Sequence, residues 1–164
     1  RHWADVPTLV QSWTDRVQKT MRTLPITAKP LYVFTGHSVP LMQGISYDGY
    51  VHSLQRVMQS IADQLVLPNA TLAWQSAGTR GEWLTPTVEM VTEQAGAEGH
   101  THVVYMPIGF TCTHMEVSYD LDVERREQCD HLGISYVRVP MPDRDTLFVK
   151  AMAHGVLTAL LKEG

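Results

Sequence analysis

The chain has 164 residues, of which 44% are hydrophobic and 18% charged, with a formal net charge of −4. Its length and composition are those of one globular domain, or of half a larger one, and the acidic balance gives no reason to expect a nucleic-acid partner. No apolar stretch approaches the roughly 20 residues that span a bilayer, and no signal-peptide pattern opens the chain, so we expect a cytoplasmic protein without a transmembrane segment.

Helices and strands are predicted to alternate along the chain. Apolar residues at helical spacing predict a leading helix from Pro7 to Leu24, with Asp5 as its N-cap. Four short apolar runs follow as predicted strands, over 31–35, 71–75, 101–106 and 135–139. Further helices are predicted over 48–65, 87–97 and 114–132, and a last one from Asp145 to Lys162.

This alternation predicts an α/β fold: a doubly wound sheet of four parallel strands with helices on both faces. We divide the chain into a leading helix and linker over 1–30 and an α/β domain over 31–164. Ligands of such sheets collect beyond the carboxyl ends of the strands. Polar and aromatic side chains follow the first three strands: His37 and Ser38, then Gln75, Ser76 and Trp83, then His114 and Glu116.

Several of these residues admit two interpretations. His37 could accept a proton or ligate a metal, or it could be a hydrogen-bond donor that stabilises the loop between Gly36 and Pro40. Trp74 and Trp83 could pack in the core or form a wall for a flat aromatic ligand. The residues alone leave both pairs of alternatives open.

Three acidic residues share one spacing along the predicted helix over 114–132. Glu116, Asp120 and Glu124 are four residues apart, and on an α-helix such residues line one face at about 6 Å per step. A row of carboxylates could serve as a track for a divalent cation. The alternative is a solvated acidic face paired with Arg125 and Arg126.

Motifs in chain order resemble those of the ferrochelatase family. FTGHSVP at 34–40 resembles the family's SAHSLP, and WQS with WLTP in 74–86 resembles its WQS…WLGP. PIGF with HMEVSYDLDVE in 107–124 is similar to P(I/V)(G/A)F..DH.E..Y(D/E).D.E, and RVPMPD at 138–143 stands where bacterial members have RPEMPN. The matches are collinear over nearly the whole chain, which is identified as a member of this family.

The resemblance implies that ferrous iron, as substrate, is inserted into a porphyrin in haem synthesis. The porphyrin is protoporphyrin IX or coproporphyrin III, and the residues at 140–142 favour coproporphyrin. By residue-to-residue carry-over, His37 and Glu116 face each other across the porphyrin and handle the metal and the pyrrole protons. His114 and Ser38 are implied to support this pair.

The resemblance also implies a path for the metal. Asp120 and Glu124 continue an acidic ridge that leads iron, or a bound Mg²⁺, toward Glu116. Cys112 and Cys129 lack CxxC spacing, and the chain ends at Gly164, so no iron–sulfur cluster is expected. The implied porphyrin contacts are Pro40, Gln75, Ser76 and Trp83.

The chain departs from the family in sequence and in size. Thr113 stands where the family has Asp, which removes a negative charge beside the site, and Gly36 stands where it has Ala. Ferrochelatases are about twice as long, and this chain resembles their C-terminal half with the helix leading into it. Since the porphyrin cleft lies between the halves, the expected partner is an N-terminal half or a second copy of this chain.

Three other functions are weighed against iron insertion by this chain. One is a non-catalytic tetrapyrrole- or metal-binding module that needs a partner half, and another is a small homodimeric chelatase. The third is an unrelated α/β enzyme built on the rim around His37. Porphyrin binding would separate the first two from the third, and metal insertion would separate an enzyme from a binding module.

Overall fold

A computed structural model describes residues 6–161 of the chain. Four parallel strands form one sheet in the order β2-β1-β3-β4. The chain passes from β1 to β2 on one side, then crosses to β3 on the other side of β1 and continues outward to β4. The sheet is therefore doubly wound, and the predicted α/β fold is confirmed. The strands are β1 (Pro30–His37), β2 (Ala70–Gln75), β3 (His102–Met106) and β4 (Ser135–Arg138).

Helices connect and follow these strands, and one predicted segment, 48–65, is confirmed at both ends. No helix within 6–161 is long and apolar enough to cross a membrane. The helices are α1 (Pro7–Met21), α2 (Asp48–Leu65), α3 (Val88–Ala97), α4 (Met115–Val117), a π-helix (Ser118–Arg125), α5 (Arg126–Leu132) and α6 (Thr146–Leu160).

The leading helix is shorter than predicted. It ends at Met21 rather than Leu24, because the backbone tightens into bonds between residues three apart, such as the one from the Leu24 amide to the Met21 carbonyl at 3.1 Å. Pro25, which follows, cannot continue a helix. Two predicted helix ends lie outside the described residues: Asp5, the N-cap of the leading helix, and Lys162, the end of the last helix.

The helix predicted over 114–132 is present without a break from Met115 to Leu132, but its middle part is a π-helix. This stretch comprises α4, the π-helix and α5, and the π-helix turns more widely than the 3.6-residue period assumed from the sequence. Two carboxylates tie the π-helix to different neighbours. Asp120 Oδ2 accepts from the Ser76 hydroxyl, whereas Asp122 Oδ1 accepts from Arg138 Nε at 2.6 Å. These side-chain bonds, which local periodicity does not encode, hold the wider turn in place.

Each face of the sheet has its own hydrophobic core. Along β1, Tyr32 and Phe34 point to the face covered by α1, α2 and α6, while Val33 points to the face covered by α3, the π-helix and α5. Trp13 and Val17 of α1 are fully buried in the first of these cores. The leading helix is therefore packed into the same core as the sheet.

Two glycines bring the carboxyl ends of β1 and β3 into backbone contact. The Gly109 amide donates to the Thr35 carbonyl at 3.0 Å, and a Cβ added to Gly109 would lie 2.7 Å from Gly36 Cα. A Cβ added to Gly36 would lie 2.5 Å from Leu54 Cδ1. The loop after β3 is thus pressed against the residue that precedes His37.

Candidate active site

Two predicted site residues from different loops meet at the carboxyl edge of the sheet. His37 ends β1, and Glu116 lies in α4, which follows β3. His37 Nε2 lies 2.8 Å from Glu116 Oε1, and the two side chains are 43% and 45% exposed. The strand order reverses between β1 and β3, which is where open parallel sheets bind ligands. The structure therefore brings the predicted pair together in an accessible position.

The proton content of this pair follows from the second ring nitrogen of His37. His37 Nδ1 contacts the carbonyl oxygen of Ser38, which can only accept, so Nδ1 is a donor. A neutral ring then has a lone pair at Nε2, which cannot bond to an ionised carboxylate. The contact with Glu116 therefore contains one additional proton, held either as an imidazolium or as a carboxylic acid.

The surroundings of Glu116 favour its ionised form. Hydrogen bonding with Ser76 is the main cause that holds the pKa of Glu116 below its usual range, and charge on His37 and His114 adds to it, against the effect of partial burial. The single hydroxyl proton of Ser76 is donated to Asp120 Oδ2, so Ser76 links the surroundings of Glu116 to those of Asp120. The geometry places the additional proton of the pair between His37 Nε2 and Glu116 Oε1.

Phe110 separates the two predicted site histidines. Its ring centre lies 6.3 Å from that of His37 and 5.4 Å from that of His114. His114 immediately precedes α4, so it sits at the base of the short helix that carries Glu116. This position is compatible with the supporting role predicted for His114, which stays a prediction.

The acidic ridge extends from Glu116 into the π-helix. Asp120 and Glu124 line a cavity of about 190 Å³, together with Gln75 and Ser76. Glu124 Oε2 lies 3.7 Å from a guanidinium nitrogen of Arg125, as the solvated-face alternative expects. Within 6–161 no three His, Cys, Asp or Glu side chains converge to hold a metal ion. The ridge is a row of separate carboxylates rather than a closed metal site.

The remaining predicted porphyrin contacts differ in exposure. Trp83 is partly exposed, its Nε1 donates to the Arg80 carbonyl at 2.8 Å, and its backbone pairs with that of Pro40. Trp74 is buried and packs against the ring of Tyr50, with 5.4 Å between ring centres. Trp74 is thus a core residue, whereas Trp83 and Pro40 lie together at the rim.

Gln75 is buried, although the resemblance implied a porphyrin contact. Its Oε1 accepts from the Thr35 hydroxyl at 2.8 Å. Its Nε2 is buried without a hydrogen-bond partner among the residues that the structure describes. Both N–H donors of this amide are therefore unpaired among the described residues, beside the cavity that Ser76, Asp120 and Glu124 line.

Buried contacts hold the end of β1 in place. Ser38 is buried, its amide donates to the Gln75 carbonyl at 2.8 Å, and its hydroxyl donates to the Leu84 carbonyl at 3.3 Å. The Tyr50 hydroxyl donates to the His37 carbonyl at 2.8 Å, and burial raises the pKa of Tyr50 so that this donor stays protonated. Sequence reasoning did not assign Tyr50 to the site, although YDGY at 47–50 stands where the family has GDPY.

Asp143 is a second residue that sequence reasoning missed. Thr113, next to His114, donates to it twice: the amide bonds to Oδ1 at 2.6 Å and the hydroxyl to Oδ2 at 3.0 Å. The available signal was that Thr113 departs from the family pattern. The carboxylate expected at 113 is supplied to this position by Asp143 instead.

The fold and this site define an α/β protein that carries a paired imidazole and carboxylate at the reversal of strand order, beside a row of carboxylates. A family model described as Ferrochelatase matches residues 1–160. The chain belongs to the ferrochelatase family.

Three curated relatives similar to the chain are named coproporphyrin III ferrochelatase. The relative from Anoxybacillus flavithermus is 37% identical, over 99% of this chain and 53% of the relative. The relative from Geobacillus thermodenitrificans is 35% identical, over 99% and 52%, and that from Listeria innocua is 34% identical, over 98% and 53%. The chain therefore spans about half the length of the curated relatives it matches.

Proposed function

We propose that this chain supplies the metal-inserting half of a ferrochelatase, which inserts ferrous iron into coproporphyrin III. The observation that carries the proposal is the 2.8 Å contact between His37 Nε2 and Glu116 Oε1, exposed at the edge of the sheet in a member of this family. The names of the relatives favour coproporphyrin III over protoporphyrin IX.

The proton chemistry of the reaction suits this pair. Insertion removes two pyrrole protons while one dication enters, so the macrocycle needs a base near its centre. Glu116 can take a pyrrole proton once its contact with His37 opens and frees Oε1. The pair can pass protons on to water, because both side chains are nearly half exposed. The pair thus passes protons from the porphyrin to solvent.

The ridge and the rim complete the proposed site. Asp120 and Glu124 guide iron toward Glu116 or hold Mg²⁺, since carboxylate oxygens are ligands for hard divalent cations. Trp83 and Pro40 at the rim contact the macrocycle, while Gln75 and Ser76 contribute from the cavity side. Ser38 and His114 position the central pair. No iron–sulfur cluster is expected, since of the two cysteines Cys112 is exposed and Cys129 buried.

A partner is proposed to cover the face that this half leaves open. Four large apolar side chains at the end of α6 are 59% to 83% exposed: Val156, Leu157, Leu160 and Leu161. Exposure of such an apolar cluster to water is unfavourable, and clusters of this kind are typical of interfaces. Because the chain spans about half of its relatives, we propose the N-terminal half of a longer ferrochelatase as the occupant.

The test is anaerobic ferrous or zinc insertion into coproporphyrin III and protoporphyrin IX, followed by absorbance with the mass in solution measured in parallel. We expect porphyrin binding by the chain, and insertion once the N-terminal half of a relative is added. His37→Ala and Glu116→Gln should lose insertion, whereas His131→Ala, an exposed histidine on α5, should not.

The outcomes separate the alternatives. Insertion by a dimer of the chain alone would replace the proposed partner with a second copy. Porphyrin binding without insertion, with or without the N-terminal half, would identify a non-catalytic tetrapyrrole-binding module. Absence of both binding and insertion would overturn the proposal.

A further inference from the structure

We propose that Asp143 is a positioning residue that holds the loop carrying His114 and Glu116, an inference that rests on the proposed function of that site. Asp143 lies after β4, far along the chain from this loop. Its two carboxylate oxygens accept the amide and the hydroxyl of Thr113, at 2.6 Å and 3.0 Å. Hydrogen bonds to an ionised acceptor are stronger than neutral ones, and two of them fix direction as well as distance.

The backbone of Asp143 adopts a conformation open to few residue types. Its φ of +47° is in the left-handed region, which among non-glycine residues Asn and Asp tolerate best. Such a conformation persists when the surrounding contacts determine it, and it is found preferentially at functional sites. At Asp143 those contacts are the two bonds from Thr113.

The segment that carries Asp143 is itself anchored to α1. A guanidinium nitrogen of Arg16 donates to the Pro142 carbonyl at 3.3 Å and lies 3.0 Å from Asp145 Oδ2. The Asp145 amide also donates to the Pro142 carbonyl, at 2.7 Å. The contacts therefore run without interruption from α1 through Pro142 and Asp143 to Thr113, the residue before His114.

The exposure of Asp143 and Thr113 allows a positioning role to be distinguished from a contribution to folding stability. Asp143 and Thr113 are both exposed, so their bonds contribute little to the free energy of unfolding. A loss of loop placement, by contrast, would move Glu116 relative to His37. Both residues also differ from the family motifs quoted above: Thr113 stands where the family has Asp, and Asp143 where bacterial members have Asn. In this chain the carboxylate is therefore at position 143 rather than at 113.

The test compares four variants of the full chain by NMR: Asp143→Ala, Asp143→Asn, Thr113→Asp and the double exchange Thr113→Asp with Asp143→Asn. The readouts are the hydrogen-exchange rate of the residue-113 amide and the resonance of the proton shared by His37 and Glu116. We expect Asp143→Ala to raise that exchange rate about tenfold and to shift the shared-proton resonance. Thr113→Asp should disturb the shared-proton resonance, because it places two carboxylates together.

Two variants should restore the wild-type signals. Asparagine at 143 tolerates the left-handed backbone, accepts from the Thr113 amide and donates to its hydroxyl, so Asp143→Asn keeps the contact. The double exchange re-forms a carboxylate–amide pair. Arg144→Ala, an exposed neighbour in the same loop, is the matched control and should change neither readout.

Metal insertion provides the second measurement, in whichever assembly of the chain is active. Asp143→Ala should lower kcat about tenfold and leave KM for the porphyrin unchanged, because it displaces Glu116 without touching the rim. An unaltered shared-proton resonance in Asp143→Ala, or a double exchange no better than Thr113→Asp, would overturn the positioning role. Absence of insertion by the wild type, with the NMR response as expected, would overturn the proposed function alone.

Discussion

Replacing Asp122 with alanine removes the carboxylate that joins the π-helix to β4. Asp122 Oδ1 accepts from Arg138 Nε at 2.6 Å and from the Tyr136 hydroxyl at 2.8 Å. Burial raises the pKa of Tyr136, so this hydroxyl stays protonated and needs an acceptor. Arg138 Nη1 is already buried without a partner within 6–161. The variant would leave a largely buried guanidinium and a largely buried hydroxyl without their acceptor.

The expected loss of stability in Asp122→Ala depends on how exposed the Asp122 and Arg138 side chains are. Breaking a fully buried ion pair costs about 3–5 kcal/mol. The side chains of Arg138 and Asp122 are 19% and 28% exposed, so water recovers part of that cost. We expect Asp122→Ala to lower the free energy of unfolding by about 2–3 kcal/mol, which for a chain of this length lowers Tm by about 5–10 °C. Asp122→Asn, which keeps one acceptor oxygen, should cost about half as much.

Urea unfolding at neutral pH measures this difference directly. The control is Asp130→Ala, which removes an exposed carboxylate from α5. If Asp122→Ala unfolds within about 0.5 kcal/mol of that control, the ion pair does not hold the π-helix and the reasoning is wrong. If both Asp122 variants are equally destabilised, the loss comes from geometry rather than from charge.

Three further predictions concern the site and the start of α6. His37→Ala should abolish metal insertion with an unchanged Tm, because the side chain lies at the exposed rim; wild-type turnover would exclude His37 from the chemistry. Glu124→Gln should raise KM for the metal more than Kd for the porphyrin, measured by insertion kinetics and porphyrin titration; equal losses would argue against the ridge. Asp145→Ala should cost about 1–2 kcal/mol, because the carboxylate accepts from the amides of Leu147 and Phe148. Burial alone would raise the pKa of Asp145, but the hydrogen bonds from Phe148, Ser12 and Leu147, with the charge of Arg16, hold that pKa below its usual range. The stability difference, measured by urea unfolding across pH, is therefore full above the usual carboxylate range and shrinks as the pH falls through the folded pKa; a difference that grew on acidification would contradict this sign.

Local patterns predicted the elements whose cause is local. The apolar run at 31–35 marked β1 because a parallel strand covered on both faces needs apolar residues throughout, and the helix at 48–65 followed from its periodicity. The π-helix escaped prediction because bonds from distant residues, such as Ser76 and Arg138, hold its wider turn. A hydrophobic pattern analysed at 3.6 residues per turn does not reveal such long-range bonds.

The same distinction between local and non-local causes applies to the residues of the candidate site. His37 and Glu116 were predictable because each closely follows a strand, and parallel strands bring their carboxyl ends to one edge. Tyr50 and Asp143 were not, because their contacts with the His37 carbonyl and with Thr113 depend on how separate elements pack. Sequence reasoning thus named the solvent-facing pair and the buried Ser38 but missed the contacts of Tyr50 and Asp143.

The contact between Gly36 and Gly109 also constrains how this family member can diverge. An alanine at 36 would meet the flexible end of Leu54, together with the rings of Trp74 and Tyr50, so a smaller residue at 54 would open a mutational path to it. An alanine at 109 would meet the backbone of Gly36, which no side-chain substitution can remove. Position 36 can therefore accept alanine through a change in α2, whereas alanine at 109, which the quoted motif P(I/V)(G/A)F also contains, requires the backbone of β1 and the loop after β3 to move apart.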